Sequence, residues 1–177
     1  MAILKIRTFG DPVLREHARD VERITDLHRR LIADMFDTMR DAPGVGLAAP
    51  QVGVMERIFV YESDENRGAL INPEIVARSE TIEEGEEGCL SLPGIAYPVP
   101  RPATVTIKGT DEHGEVQEIE ATELLARIFQ HESDHLDGVL FIDHLDEATR
   151  REALSQLRNQ ALGLPSDGHE PSPEETL

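Results

Sequence analysis

Two histidines, His131 and His135, stand four residues apart in the run His-Glu-Ser-Asp-His at 131–135. On a helix of about 3.6 residues per turn they lie about 40° apart around the axis, so both imidazoles can reach one metal ion. Glu132 falls between them and could act on a metal-bound water rather than ligate. A histidine pair on a solvated face is the plain alternative in so acidic a chain. The apolar helical pattern beneath the pair, closed by Gly138, favours the metal.

A tetrahedral catalytic site needs a third protein ligand and one open position. Gly138 occupies the glycine of an extended H-E-x-x-H-x-x-G-x-x-H pattern, but Phe141 stands where its last histidine belongs, and His144 comes three residues too late. Glu152 is the nearest downstream carboxylate that could complete a metallopeptidase site, although Arg150 and Arg151 beside it read as an exposed helix face. The remaining soft ligand is Cys89, in the run EGCLSLPG at 87–94. A lone cysteine is more often a small buried hydrophobe than a ligand. Here Gly88 allows close backbone approach, the Leu90 amide could face a ligand, and a nearby cation would keep the thiol ionised. A third run, GVGLAAPQVG at 44–53, has small residues that another backbone can approach, and Gln51 could donate to an oxyanion. The lysine and Ser/Thr of a phosphate loop are missing from it.

These residues must be carried by ordered elements. Leu27, Leu31, Ile32, Met35 and Met39 repeat at helical steps until Pro43-Gly44. A second helix runs from Thr122 as N-cap to Gly138, with Leu124, Leu125, Ile128 and Phe129 as its apolar face and the histidine pair near its end. A third starts at Asp146 and ends near Gly163, with Leu154, Leu157 and Ala161 along one side. Between the first two helices the period falls towards two, predicting strands at 57–61, 74–83, 104–110 and 115–121, the last pair joined by the turn Asp111-Glu112-His113-Gly114. Strands grouped between helices, with hairpins, indicate an α+β fold with largely antiparallel sheets.

The chain has 177 residues, with 17 Lys+Arg against 35 Asp+Glu, a net charge of −18. That repels phosphate backbones and anionic membrane surfaces, so neither nucleic acid nor membrane is an expected partner. With no Trp, 2 Tyr and 5 Phe, stacking platforms for single strands are absent too. No apolar stretch approaches the roughly 20 residues that span a bilayer, and the N-terminus lacks the pattern of a secretory signal. A single cysteine agrees with a reducing compartment, so the expected location is cytoplasmic. The segment 164–177, which from 165 reads PSDGHEPSPEETL, is too acidic and too poor in apolar residues to offset its ordering entropy, and is expected to be a disordered tail.

Taken together, GVGLAAPQ at 44–51, EGCLSLP at 87–93 and QHESDH at 130–135 resemble the three motifs of peptide deformylases, in the same order. The likeness extends over about residues 1–163, which it marks as one catalytic domain. It implies antiparallel sheets packed around a central helix that bears the HExxH motif. It also implies Cys89, His131 and His135 as metal ligands, with Glu132 as general base and acid, and the Gln51 amide and Leu90 N–H as oxyanion donors. The reaction implied is hydrolysis of the formyl group from N-formylmethionine at the start of newly made polypeptides, releasing formate. Gly44, Val45, Gly46, Leu124 and Ile128, with the His131 ring, would bind the methionyl residue and its backbone. Fe²⁺ is the implied ion, while Zn²⁺, Ni²⁺ or Co²⁺ suit the same ligands. The family's arginine just beyond the cysteine motif is missing from 94–98, and Arg101, the nearest basic residue, receives no role. Relatives approach the ribosome through the C-terminal helix. Here Glu147 and Glu152 offset Arg150, Arg151 and Arg158, which argues against that contact. The competing readings are an HExxH metallopeptidase using Glu152, and a deformylase-like binding module without turnover.

Overall fold

The run Ile58-Phe59-Val60-Tyr61 has no polar face, so a strand built from it must be covered on both sides. A computed structural model of the protein describes residues 2–165 and 176–177 and shows that strand at the centre of two packed layers. The elements are α1 (Asp26–Asp41), β1 (Gly46–Ala48), β2 (Ile58–Ser63), β3 (Asn66–Arg78), β4 (Ile82–Cys89), β5 (Leu92–Pro102), β6 (Thr104–Thr110), β7 (Val116–Thr122), α2 (Glu123–Leu136) and α3 (Glu147–Ala161). One antiparallel sheet has the order β1-β2-β3-β6-β7; a second is the hairpin β4-β5. Helix α2 packs against the large sheet and also touches β5, and is thus the central helix of an α+β fold.

Alternation along β2 sorts its side chains. Ile58 and Val60 join Ile32, Met35 and Met39 of α1, whereas Phe59 and Tyr61 face Phe129 of α2. Those three rings meet with centroids 4.9–6.3 Å apart, two of the pairs edge to face. This cluster fixes the rotation of α2, and hence where the histidines one turn further along must point. The ends of α2 follow the expected signals: Thr122 precedes it in extended conformation, and Gly138 follows its last turn at φ +72°. A Cβ at Gly138 would also stand 2.6 Å from the Arg15 carbonyl oxygen, so glycine is required there twice over.

Four sequence expectations are corrected. The predicted strand at 74–83 is two strands, parted at Ser79, whose hydroxyl accepts from Thr104 N and donates to Thr81 O, drawing the chain out of one sheet and into the other. Strand β5 lies outside the strands expected from the sequence, and it is rich in proline. Pro98, Pro100 and Pro102 fall at every second residue, so their missing amides lie along one edge, and β5 pairs with β4 alone. On α3 the buried residues are Ala153 and Leu157, while Leu154 and Ala161 are exposed; α3 lies on β5 and the short turn Phe141–His144, rotated from the face of larger residues. In α1, Leu27 is exposed and burial begins further along the helix.

The expected tail falls largely on residues 166–175, which lie outside the described ones. Leu164 and Pro165 are exposed. Leu177, by contrast, is 1% exposed, and its N–H donates to Gly88 O at 3.2 Å. The apolar cover of that residue is supplied by the domain and not by the tail's own composition. Among the described residues no helix is long and apolar enough to cross a membrane.

Candidate metal centre

Helix α2 supplies His131, Glu132 and His135, all buried, and the end of β4 supplies Cys89 against them. His135 Nε2 lies 3.2 Å from His131 Nε2 and 3.3 Å from Cys89 Sγ, and the three candidate ligand atoms all fall within 4.8 Å of one another. Tetrahedral zinc at ordinary bond lengths would separate its donor atoms by about 3.3 Å between nitrogens and about 3.6 Å between nitrogen and sulfur. The spacing therefore fits one divalent ion. Electrostatics agree. Burial pushes the Cys89 thiol up to about 12, and the neighbouring Glu132 and Glu87 charges add to this against main-chain hydrogen bonds from Ser91 and Leu92. A thiolate in so dry a place needs a cation beside it. Burial, and then the neighbouring His131, hold His135 well below its usual range, neutral and able to ligate.

Neither carboxylate oxygen of Glu132 has a hydrogen-bond partner, although the side chain is fully buried. Burial raises it well above the usual carboxylate range, with Glu87 and Asp134 reinforcing the shift. A carboxylate so placed has capacity for a proton and for a bound molecule. Gln51 enters from the turn Ala49–Val52. Its Oε1 accepts from Ala48 N at 2.8 Å, which turns its NH₂ group to Ser91 Oγ at 3.2 Å and Cys89 Sγ at 3.6 Å. Leu90, with Ser91, makes the tight turn between β4 and β5 directly after the cysteine.

The family model for polypeptide deformylase matches residues 3–151. The chain belongs to the peptide deformylase family. It is 52% identical over 158 residues to the peptide deformylase of Acidothermus cellulolyticus, covering 89% of this chain and 87% of that one. Among solved structures, a peptide deformylase from Legionella pneumophila superposes with a TM-score of 0.86 at 43% identity, covering 91% of this chain and 96% of the other. That of Ehrlichia chaffeensis in complex with actinonin gives 0.87 at 36%, covering 90% and 98%. The chain is thus a hydrolase of a metal-dependent family, with a Cys/His/His group that can hold the metal.

In this member of the deformylase family the other residues singled out from the sequence lie on β1, α2, α3 and the segments between them. Gly46 begins β1, an edge strand, and a Cβ there would run into Glu132 Oε1; a Cβ on Gly44 would come within 2.8 Å of the Leu90 side chain. Ile128 is buried in the cluster beside α2, with Val45 and Leu124 packed against it. Phe141, at the position of a further histidine in the extended pattern, instead stacks on His131 with centroids 6.3 Å apart. Glu152 is exposed on α3 and is not part of the ligand group.

Two residues given no role from sequence prove central. Glu87 Oε1 pairs with His131 Nδ1 at 2.9 Å, and both its oxygens receive the Arg101 guanidinium, at 2.8 and 2.9 Å. Arg127 adds a contact at 2.8 Å. Burial opposes the Glu87 charge, but hydrogen bonds from Arg101 and His131 overcome it and hold the carboxyl well below its usual range. Arg101 also reaches Asp134 at 2.7 Å, and Asp134 meets His144 at 2.8 Å, which accounts for that histidine away from the ligands. The available signal was Glu87 two residues before Cys89, on the same face of a strand.

Proposed function

We propose that this chain hydrolyses the formyl group from N-formylmethionine at the start of newly made polypeptides and releases formate. The observation that carries the reading is the meeting of an orphaned buried carboxylate, Glu132, with the Cys89/His131/His135 group and the Gln51 amide. Bound by that group, a divalent ion would supply Lewis acidity and make water nucleophilic near neutral pH. Glu132 takes the proton of the attacking water and delivers it to the leaving amine. The Gln51 NH₂ and the Leu90 main-chain N–H hold the formyl oxygen as it gains negative charge. A formyl carbon carries only hydrogen, so a cramped site can exclude larger acyl groups.

Val45, Leu124, Ile128 and the His131 ring take the methionyl side chain, while the open edges near Gly44, Gly46 and the segment after Pro93 pair with the peptide backbone. Support for the pairing comes from β1 and β5 each having only one strand neighbour. Backbone pairing suits an enzyme that must accept many sequences. Residues 1–163 form the catalytic domain, the work is done in the cytoplasm, and Fe²⁺ is the working ion. Metal analysis of anaerobically purified protein, beside formate release from formyl-Met-Ala-Ser, tests the whole. Formate in proportion to bound metal is expected; bound metal with no formate would leave a binding module instead.

A further inference from the structure

Leu177 is buried to 1% exposure and belongs to the same apolar cluster as Ile128, against which Val45 and Leu124 pack. Its main-chain N–H donates to Gly88 O at 3.2 Å, and Thr176 forms an isolated parallel bridge with Gly88. Gly88 directly precedes the ligand Cys89. One residue of this chain therefore combines burial of an aliphatic side chain in that cluster with a main-chain hydrogen bond to the strand that ends in a candidate ligand. A methionyl residue bound at the site would likewise bury an aliphatic side chain and pair its backbone with a neighbouring strand. Leucine and methionine have similar volumes and exchange readily in apolar sites.

We infer that Leu177 occupies the substrate side-chain pocket of its own chain and must leave before a peptide can enter, making it a built-in competitive inhibitor. The inference rests on assigning Val45, Leu124 and Ile128 to that pocket. Because occupant and pocket share one chain, the inhibition does not vary with protein concentration. The apparent dissociation constant for substrate is divided by the fraction of time the pocket is free, so an occupancy near three-quarters raises KM about fourfold. A purely structural core leucine would have no such effect on KM, nor would product displace it.

The test uses the full chain loaded with metal. Leu177→Asp and Leu177→Gly are compared with the parent in formate release from formyl-Met-Ala-Ser, and exchange of the Leu177 amide is followed in the parent by NMR. Both variants should show a KM about three- to fourfold lower with kcat unchanged. The Leu177 amide should be protected in the free protein and exchange about fourfold faster with saturating Met-Ala-Ser, the deformylated peptide. An unchanged or higher KM in both variants, or protection that survives saturating peptide, overturns the inference. Absence of formate from parent and variants alike strikes the proposed activity, and the exchange result then decides by itself whether Leu177 is a displaceable occupant.

Discussion

Glu87 Oε1 lies 2.9 Å from His131 Nδ1, and the other nitrogen of that ring, Nε2, faces His135 Nε2 at 3.2 Å. A buried carboxylate thus selects which nitrogen of a candidate ligand is offered to the metal, and two arginines hold the carboxylate in turn. The chain of contacts runs from Arg101 at the far end of β5, through Glu87 on β4, to the central helix.

Glu87→Ala should lower metal affinity by about 10–100-fold, as is usual for partners that orient a ligand. It also takes one of two carboxylate partners from the Arg101 guanidinium, which keeps Asp134, so the stability cost should fall below the roughly 3–5 kcal/mol of a buried charge left wholly unpaired. Glu87→Gln, which keeps an acceptor for His131, should lose less affinity than the alanine variant. Titration against a competing chelator and thermal unfolding measure the two effects. Equal metal affinity in all three proteins would remove Glu87 from any orienting role.

Gln51 is held from both sides, by Ala48 N and by Ser91 Oγ, so its amide is oriented before a substrate arrives. Gln51→Ala should reduce kcat by about 10²–10³ while KM changes little, the pattern of a donor used mainly in the transition state. Steady-state formate release gives both constants. A loss confined to KM would assign Gln51 to ground-state binding instead.

Cys89→Ser should lose both bound metal and formate release, whereas Glu152→Ala, altering an exposed residue of α3, should retain both. Chelation of the parent protein should likewise stop turnover, and divalent ions should restore it. An ion at a thousand times its dissociation constant stabilises the fold by about 4.1 kcal/mol, so chelation should also lower Tm. Full metal content and turnover in Cys89→Ser would dismantle the proposed ligand set.

Gly46 touches the proposed base through its missing side chain: a Cβ would overlap Glu132 Oε1. Gly46→Ala should displace that carboxylate, and a misplacement of about 1 Å can cost on the order of 10²-fold in rate. Far-ultraviolet circular dichroism should stay close to the parent's, because β1 keeps its pairing with β2. Unimpaired kcat would mean that Glu132 tolerates the shift or has another task.

Local order in the chain already specified much of this. Residues 131–135 define a two-histidine face because helical geometry repeats within one turn, and Gly138 marks the end of that helix because only glycine accepts its backbone angles at little cost. Tertiary structure alone decided the rest. Cys89 meets His135 across 46 residues, Glu87 meets Arg101 across a hairpin whose prolines disguised it, and Leu177 reaches the core from a segment whose composition gave it no cover. Pairings of this kind depend on which sheet edges and helix faces come together, and that is governed by the packing of Phe59, Tyr61 and Phe129 rather than by any spacing along the chain.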